Sequence, residues 1–167
     1  MKRLPLAILA VVAALVATAV LGAGLAAGSS AAKGTTVKAA KSRYGKIIVD
    51  GRGRTLYLFM KDKRNHSACS GTCATYWPPL LTTAKPVAGT GVKKSLLGSI
   101  RRSNGKKQVT YNGHALYRYV QDTRPGQITG QDSHFFGAAW YVVSPSGNKI
   151  EKDSSSSSSG GGGGYGP

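Results

Sequence analysis

Apolar and polar residues alternate along the middle of this chain in short runs bounded by glycine turns, and no helical period of 3.6 recurs. Alternation at a period of two is the strand signal. In the first half the runs are Val37 to Ser42, Lys46 to Asp50 and Thr55 to Met60, with bends at Tyr44-Gly45 and Arg52-Gly53. In the second half they are Ser99 to Arg102, Gln108 to Tyr111 and His114 to Val120, with turns at Asn104-Gly105 and Asn112-Gly113. Asn and Gly both tolerate positive φ, so each Asn-Gly pair suits a tight type I′ hairpin turn. Trp140-Tyr141-Val142-Val143 reads as one more strand. The pattern predicts an all-β fold: two tandem three-stranded antiparallel meanders, each with a Trp segment, packed as one small sandwich or partly closed barrel.

The two halves are copies. Shifting residues 45–64 by sixty gives eight identities in twenty positions, among them Gly53/Gly113, Leu56/Leu116, Tyr57/Tyr117 and Asp62/Asp122. Such self-similarity marks a repeated structural unit. Alternation places Tyr57 and Phe59 on one face of the last strand, and Tyr117 and Tyr119 on the same face of its copy. Leu56, Leu58 and Met60 take the opposite face in the first copy, so that strand is apolar on both sides and should be central. Its counterpart carries Leu116, Arg118 and Val120, which sends Arg118 toward a rim. Tyr57, Phe59, Leu116, Tyr117 and Trp140 are the expected shared core. Trp77 and Trp140 follow their respective Asp at similar spacing and read as core plugs.

The ends differ in composition. Lys2 and Arg3 precede an uncharged run from Leu4 to Ala27, and Ser30-Ala31-Ala32 fits the small-x-small rule for signal peptidase, with Ala26-Ala27-Gly28 as a second option. Residues 1–32 are therefore a signal peptide or, since 24 apolar residues can cross a bilayer, an N-terminal anchor. Pro5, Gly22, Gly24 and Gly28 favour cleavage. In both cases the rest of the chain is exported, to the extracellular space or the cell envelope. A linker at 33–36 leads to the duplicated domain at 37–150, with repeats at about 37–82 and 97–147. Residues 151–167, rich in Ser and Gly, cannot build a core and are expected to be disordered.

Charge narrows the partners. Removing Lys2 and Arg3 from the 23 Lys and Arg leaves 21 against 6 acids, a net charge of +15. Such a field attracts anionic envelope polymers or lipid headgroups over a Debye length of about 8 Å. Arg101, Arg102, Lys106 and Lys107 flank one hairpin turn and are the candidate polyanion-binding group. No specific nucleic-acid recognition is expected, because the aromatic residues fall at core spacing and no binding motif occurs.

The motif copies Tyr57-x-Phe59-x-x-Asp62 and Tyr117-x-Tyr119-x-x-Asp122 resemble a bacterial family of secreted and lipoprotein tandem repeats recognised by Y-x-[FWY]-x-x-D. Cys69-x-x-x-Cys73, Trp77-Pro78-Pro79 and Trp140-Tyr141-Val142-Val143 carry the rest of the resemblance, which covers about residues 37–147. It implies no established biochemical function. Many members look lipid-anchored, but no cysteine lies near the apolar run of this chain, so it lacks the acylation site.

Candidate chemistry is sparse, and an enzymatic role is not the favoured one. Cys69 and Cys73 are the only cysteines, and an even count in an exported protein reads as a disulfide. The alternative is a copper or thiol-redox site, in which Cys69, Cys73, His66 and Met60 form a soft ligand set for Cu(I). Asp62 and Asp122 are equivalent carboxylates. They read first as acceptors for turn N–H groups or partners for bases, and second as an acid/base dyad. His66, His114 and His134 are scattered, no Ser/His/acid order is recognisable, and no Gly loop that would cradle phosphates follows a strand. The long loop at 124–138 is a candidate functional edge.

Overall fold

The computed structural model describes residues 34–151. The expected signal or anchor, the first linker residue Lys33 and all of the tail beyond Glu151 lie outside them. The described chain is strands with almost no helix, as the alternation predicts. In order these are β1 (Thr36–Ser42), β2 (Gly45–Asp50), β3 (Tyr57–Phe59), a helical turn α1 (Thr72–Tyr76), β4 (Leu81–Thr82), β5 (Val87–Ala88), a 3-10 turn (Lys94–Leu96), β6 (Leu97–Arg101), β7 (Lys107–Tyr111), β8 (His114–Ala115) and β9 (Trp140–Val142). One sheet has the order β2-β1-β5, a second β4-β7-β6 with β8 also on β7, and β3 pairs with β9. Packing is sandwich-like, and no barrel closes among the described residues.

The turns follow residue chemistry. Asn112 and Gly113 both have positive φ, 49° and 77°, which is the type I′ geometry their sequence predicts. Asn104-Gly105 behaves differently. Gly105 alone has positive φ (77°), and its N–H bonds back to the Arg102 carbonyl. That is a three-residue hairpin loop ending in a left-handed glycine, because Arg102 and Lys106 remain paired at the strand ends.

Each meander opens on its own hairpin, and its third segment then leaves it. β2 touches that segment through a Val49–Thr55 bridge, and β8 pairs with β7 for only two residues. Tyr57 and Tyr117 instead bond to each other, each N–H donating to the other's carbonyl at 2.9 and 3.0 Å. The outer edge of β3 takes β9 from the second copy, with Phe59 opposite Trp140. The outer edge of 116–120 takes the Trp segment of the first copy: Arg118 and Val120 donate N–H bonds to the carbonyls of Pro78 and Tyr76. The copies therefore exchange their Trp segments across a pseudo-two-fold axis between Tyr57 and Tyr117. Exchange satisfies strand edges that would otherwise be left unpaired.

Leu56, Tyr57, Leu58 and Phe59 are all buried, as a strand apolar on both faces must be. Tyr57, Phe59, Tyr117 and Trp140 share one cluster with Trp77. Leu116 corrects the expected shared core: it lies in the other cluster, with Leu56, Leu58 and Leu80, because it occupies the opposite face of its strand. Met60 is exposed, because the strand ends there. The helical turn α1 was not legible in the pattern, since five residues between closely spaced cysteines show no period.

Candidate functional site

The motif residues meet at the junction of the copies, and they do so in trans. The Tyr57 hydroxyl donates a short hydrogen bond to Asp122 Oδ2, and the Tyr117 hydroxyl donates to Asp62 Oδ2 at 2.7 Å. Each copy thus supplies the donor for the other's carboxylate. The second oxygen of each Asp holds the loop that follows it. Asp122 Oδ1 accepts from the Thr129 N–H (2.9 Å) and hydroxyl (2.6 Å), and Asp62 Oδ1 accepts from the Ala68 N–H (2.7 Å). Burial, reinforced by Asp122, pushes the Tyr57 phenol well above its ordinary pKa, and burial with the Asp62 charge does the same for Tyr117. Both phenols remain protonated donors. Burial also raises the Asp62 carboxyl, against the bonds from Ala68 and Tyr117 that favour its charged form.

The second aromatic of each motif stacks on the Trp of the other copy. Phe59 lies on Trp140 with ring centroids 4.0 Å apart, Trp140 on Trp77 at 4.0 Å, and Trp77 on Tyr119 at 4.3 Å. Tyr57 and Tyr117 meet Trp77 and Trp140 edge-on, at 5.3 and 5.1 Å. The three specified residues of each Y-x-[FWY]-x-x-D copy are thereby accounted for by contact between the repeats. The carboxylates are taken up by fixed donors, which supports their structural reading over an acid/base dyad. The stack has one asymmetry: Trp140 Nε1 donates to the Phe135 carbonyl at 3.1 Å, whereas the buried Trp77 Nε1 has no partner among the described residues.

Cys69 and Cys73 are bonded to each other, with Cα atoms 5.3 Å apart, and both are buried. In that state neither sulfur is a thiolate, the form that binds metal. His66 and Met60 are both exposed, and no group of three or more His, Cys, Asp or Glu is placed to hold a metal among the described residues.

The structure divides the basic hairpin group. Arg101, Lys106 and Lys107 are exposed, and Arg101 stands directly across from Lys107. Arg102 turns inward and donates to Ser67 Oγ (2.8 Å), Gln108 Oε1 and the Cys69 carbonyl. It fixes the disulfide loop to β7, so its guanidinium is largely engaged within the protein.

The 124–138 loop, expected as a functional edge, is a strap over the junction. Ile128 is buried, Thr129 binds Asp122, and Gly130 sits so close to the rings that a Cβ there would come within 2.6 Å of Trp77.

A feature missed in the sequence lies at the turn after β2. Asp50, 2% exposed, accepts from the backbone N–H groups of Arg52 and Arg54 at 2.9 and 3.0 Å. Its other oxygen pairs with Arg54 Nε (3.2 Å) and Arg118 Nε (2.8 Å). Burial alone would raise the Asp50 carboxyl, but the Arg54 N–H and the Arg118 guanidinium hold it below its ordinary value. The one available signal was Arg118 itself, a charge at the strand position where the first copy has Leu58.

No curated protein and no solved structure matches this chain. A family model, Lipoprotein_15, matches twice, over residues 38–81 and 98–144, which is more than half of the sequence and both copies of the motif unit. The chain belongs to this family, described as a secreted repeat of unknown function, and is an exported repeat protein.

Proposed function

We propose that the chain is a non-enzymatic binding module, drawn by its charge to anionic polymers of the cell surface. The observation that carries this reading is how the fold sorts its charges. Of the five acids among the described residues, Asp50 and Asp122 are buried and Asp62 is half-buried, each with internal partners. Only Asp132 and Glu151 are exposed, one beside His134 and the other beside Lys149. Arg54, Arg118 and Lys149 are the only Lys or Arg in ion pairs among the described residues. The surface is therefore almost uniformly positive. Arg101 opposite Lys107 sharpens the point, because like charges directly across a strand pair are destabilising. A partner that neutralises them relieves that repulsion. Trp77 and Trp140, the rings best suited to stacking on bases, are fully buried, which favours a charged polymer over a nucleic-acid partner.

The test is binding of the purified mature chain to isolated anionic wall polymer at two salt concentrations. Affinity should fall steeply as salt rises, since screening removes long-range attraction. Reversing Arg101, Lys106 and Lys107 together should weaken it strongly, while any one alone has a small effect. Affinity independent of salt would refute the reading.

A further inference from the structure

Arg52, Arg54 and Arg118 line a single cleft of about 380 Å³ with Asp50, Gly51 and Thr36. Arg52 and Arg54 come from the turn after β2 in the first copy, and Arg118 comes from the motif strand of the second. Three guanidiniums against one carboxylate leave the cleft with a net charge of +2. Asp50 does not cancel the site so much as build it. Its buried oxygen holds two of the guanidiniums by Nε at 3.2 and 2.8 Å, which leaves their terminal nitrogens available to an incoming anion. The flanking arginines remain partly open to solvent, with side chains 29% and 28% exposed. Guanidiniums fixed in advance lose little conformational entropy on binding, and their planar fork suits the oxygens of phosphate.

The pseudo-symmetry shows that the fold itself does not need this cluster. The positions matching Asp50 and Arg118 in the other copy are Thr110 and Leu58, both buried. One half of the molecule thus fills the same places without a charge. Replacing a buried ion pair by well-packed neutral residues is often neutral or stabilising, so packing gives little reason to keep one here.

We propose that this cleft is a seat for one phosphate group of the anionic polymer, with Arg52, Arg54 and Arg118 as its ligands and Asp50 as the residue that positions the guanidiniums of Arg54 and Arg118. The proposal rests on the polymer reading and deepens it, adding one specific subsite to a diffuse field.

The test is titration of the mature, oxidised chain with inorganic phosphate, followed by nuclear magnetic resonance of the arginine Nε–H signals and the amides of residues 50–54. Saturable shifts should concentrate there. Arg52→Ala should weaken binding about tenfold, the equivalent of one charge-assisted hydrogen bond. Because only the backbone of Arg52 touches Asp50, this variant should stay folded. Arg118→Leu, which copies the other half of the molecule, should also lose phosphate. Lys93→Ala/Lys94→Ala, at exposed bases outside the cleft and the basic hairpin, should leave it unchanged. Shifts spread over all exposed bases without saturation, or unchanged affinity in Arg52→Ala, would overturn the seat even if polymer binding were salt-sensitive. Saturable phosphate binding in a chain that ignores wall polymer at low salt would instead overturn the polymer reading and leave the seat standing. Capture by anionic vesicles but not by wall polymer, lost in Arg52→Ala, would overturn the polymer as the source and reassign the phosphate to a lipid headgroup.

Discussion

Tyr57→Phe removes one oxygen from the junction between the copies. That oxygen donates to Asp122, which is 3% exposed, and accepts from the Gly130 N–H at 3.3 Å. Water cannot reach Asp122 to replace the lost donor. A hydrogen bond to a charged group contributes about 1.5–3 kcal/mol, and the weak Gly130 bond adds a little, so the substitution should cost about 2–3 kcal/mol. Tyr117→Phe is the symmetric change in a different setting. Its hydroxyl bonds Asp62 and Ser67, both at 2.7 Å, but Asp62 is only half-buried and solvent can stand in. A cost of about 1 kcal/mol is expected there. Urea unfolding of the oxidised chain measures both, and an unchanged m-value would show that the same surface is exposed on unfolding. A cycle with Asp122→Ala should give a coupling to Tyr57 of about 1–2 kcal/mol, and none to Tyr117. A cost for Tyr57→Phe below about 0.5 kcal/mol, or coupling of Asp122 to Tyr117, would refute reciprocal exchange as the meaning of the motif.

The indole pair gives a second contrast: Trp140→Phe loses the bond to the Phe135 carbonyl, while Trp77→Phe loses none, so the first should cost about 1 kcal/mol more in the same assay. Thiol labelling of unreduced protein should find no reactive cysteine, and reduction should cost about 2 kcal/mol, because the loop that Cys69 and Cys73 close is short. Acid titration separates two carboxylates. Asp50, held below its ordinary pKa of 3.8, contributes stability that is present above that value and lost as pH falls through its folded pKa. Asp62, raised above 3.8, contributes stability that is present below that value and lost as pH rises through its folded pKa. Stability measured against pH should therefore show Asp50→Asn flattening the curve on the acid side of 3.8, and Asp62→Asn flattening it on the other. Curves parallel to wild type would show that neither group is coupled to folding.

The sequence by itself determined the strand content, the duplication, the two buried faces of the motif strand and the disulfide. Each is a local property: side-chain alternation has a period of two whatever the strand pairs with, and the two cysteines lie four residues apart. Local pattern also sufficed for Asn112-Gly113, where both turn residues accept positive φ. Tertiary structure decided which edges met. Alternation assigns a residue to a face but does not choose its partner strand, so the exchange of Trp segments was illegible although both Trp segments and both motif strands stand out in the sequence. The same limit hid the reason for the motif, since a Tyr and an Asp on one strand gave no sign that each bonds its counterpart in the other copy. It hid the Asp50 cluster as well. A buried carboxylate gathers arginines from distant positions only once the chain has folded, and Arg118 lies 68 residues from Asp50. Likewise, charge counting gave the net excess of bases, but only the fold showed that three of the five acids among the described residues are buried or half-buried with internal partners, which leaves the excess on the surface.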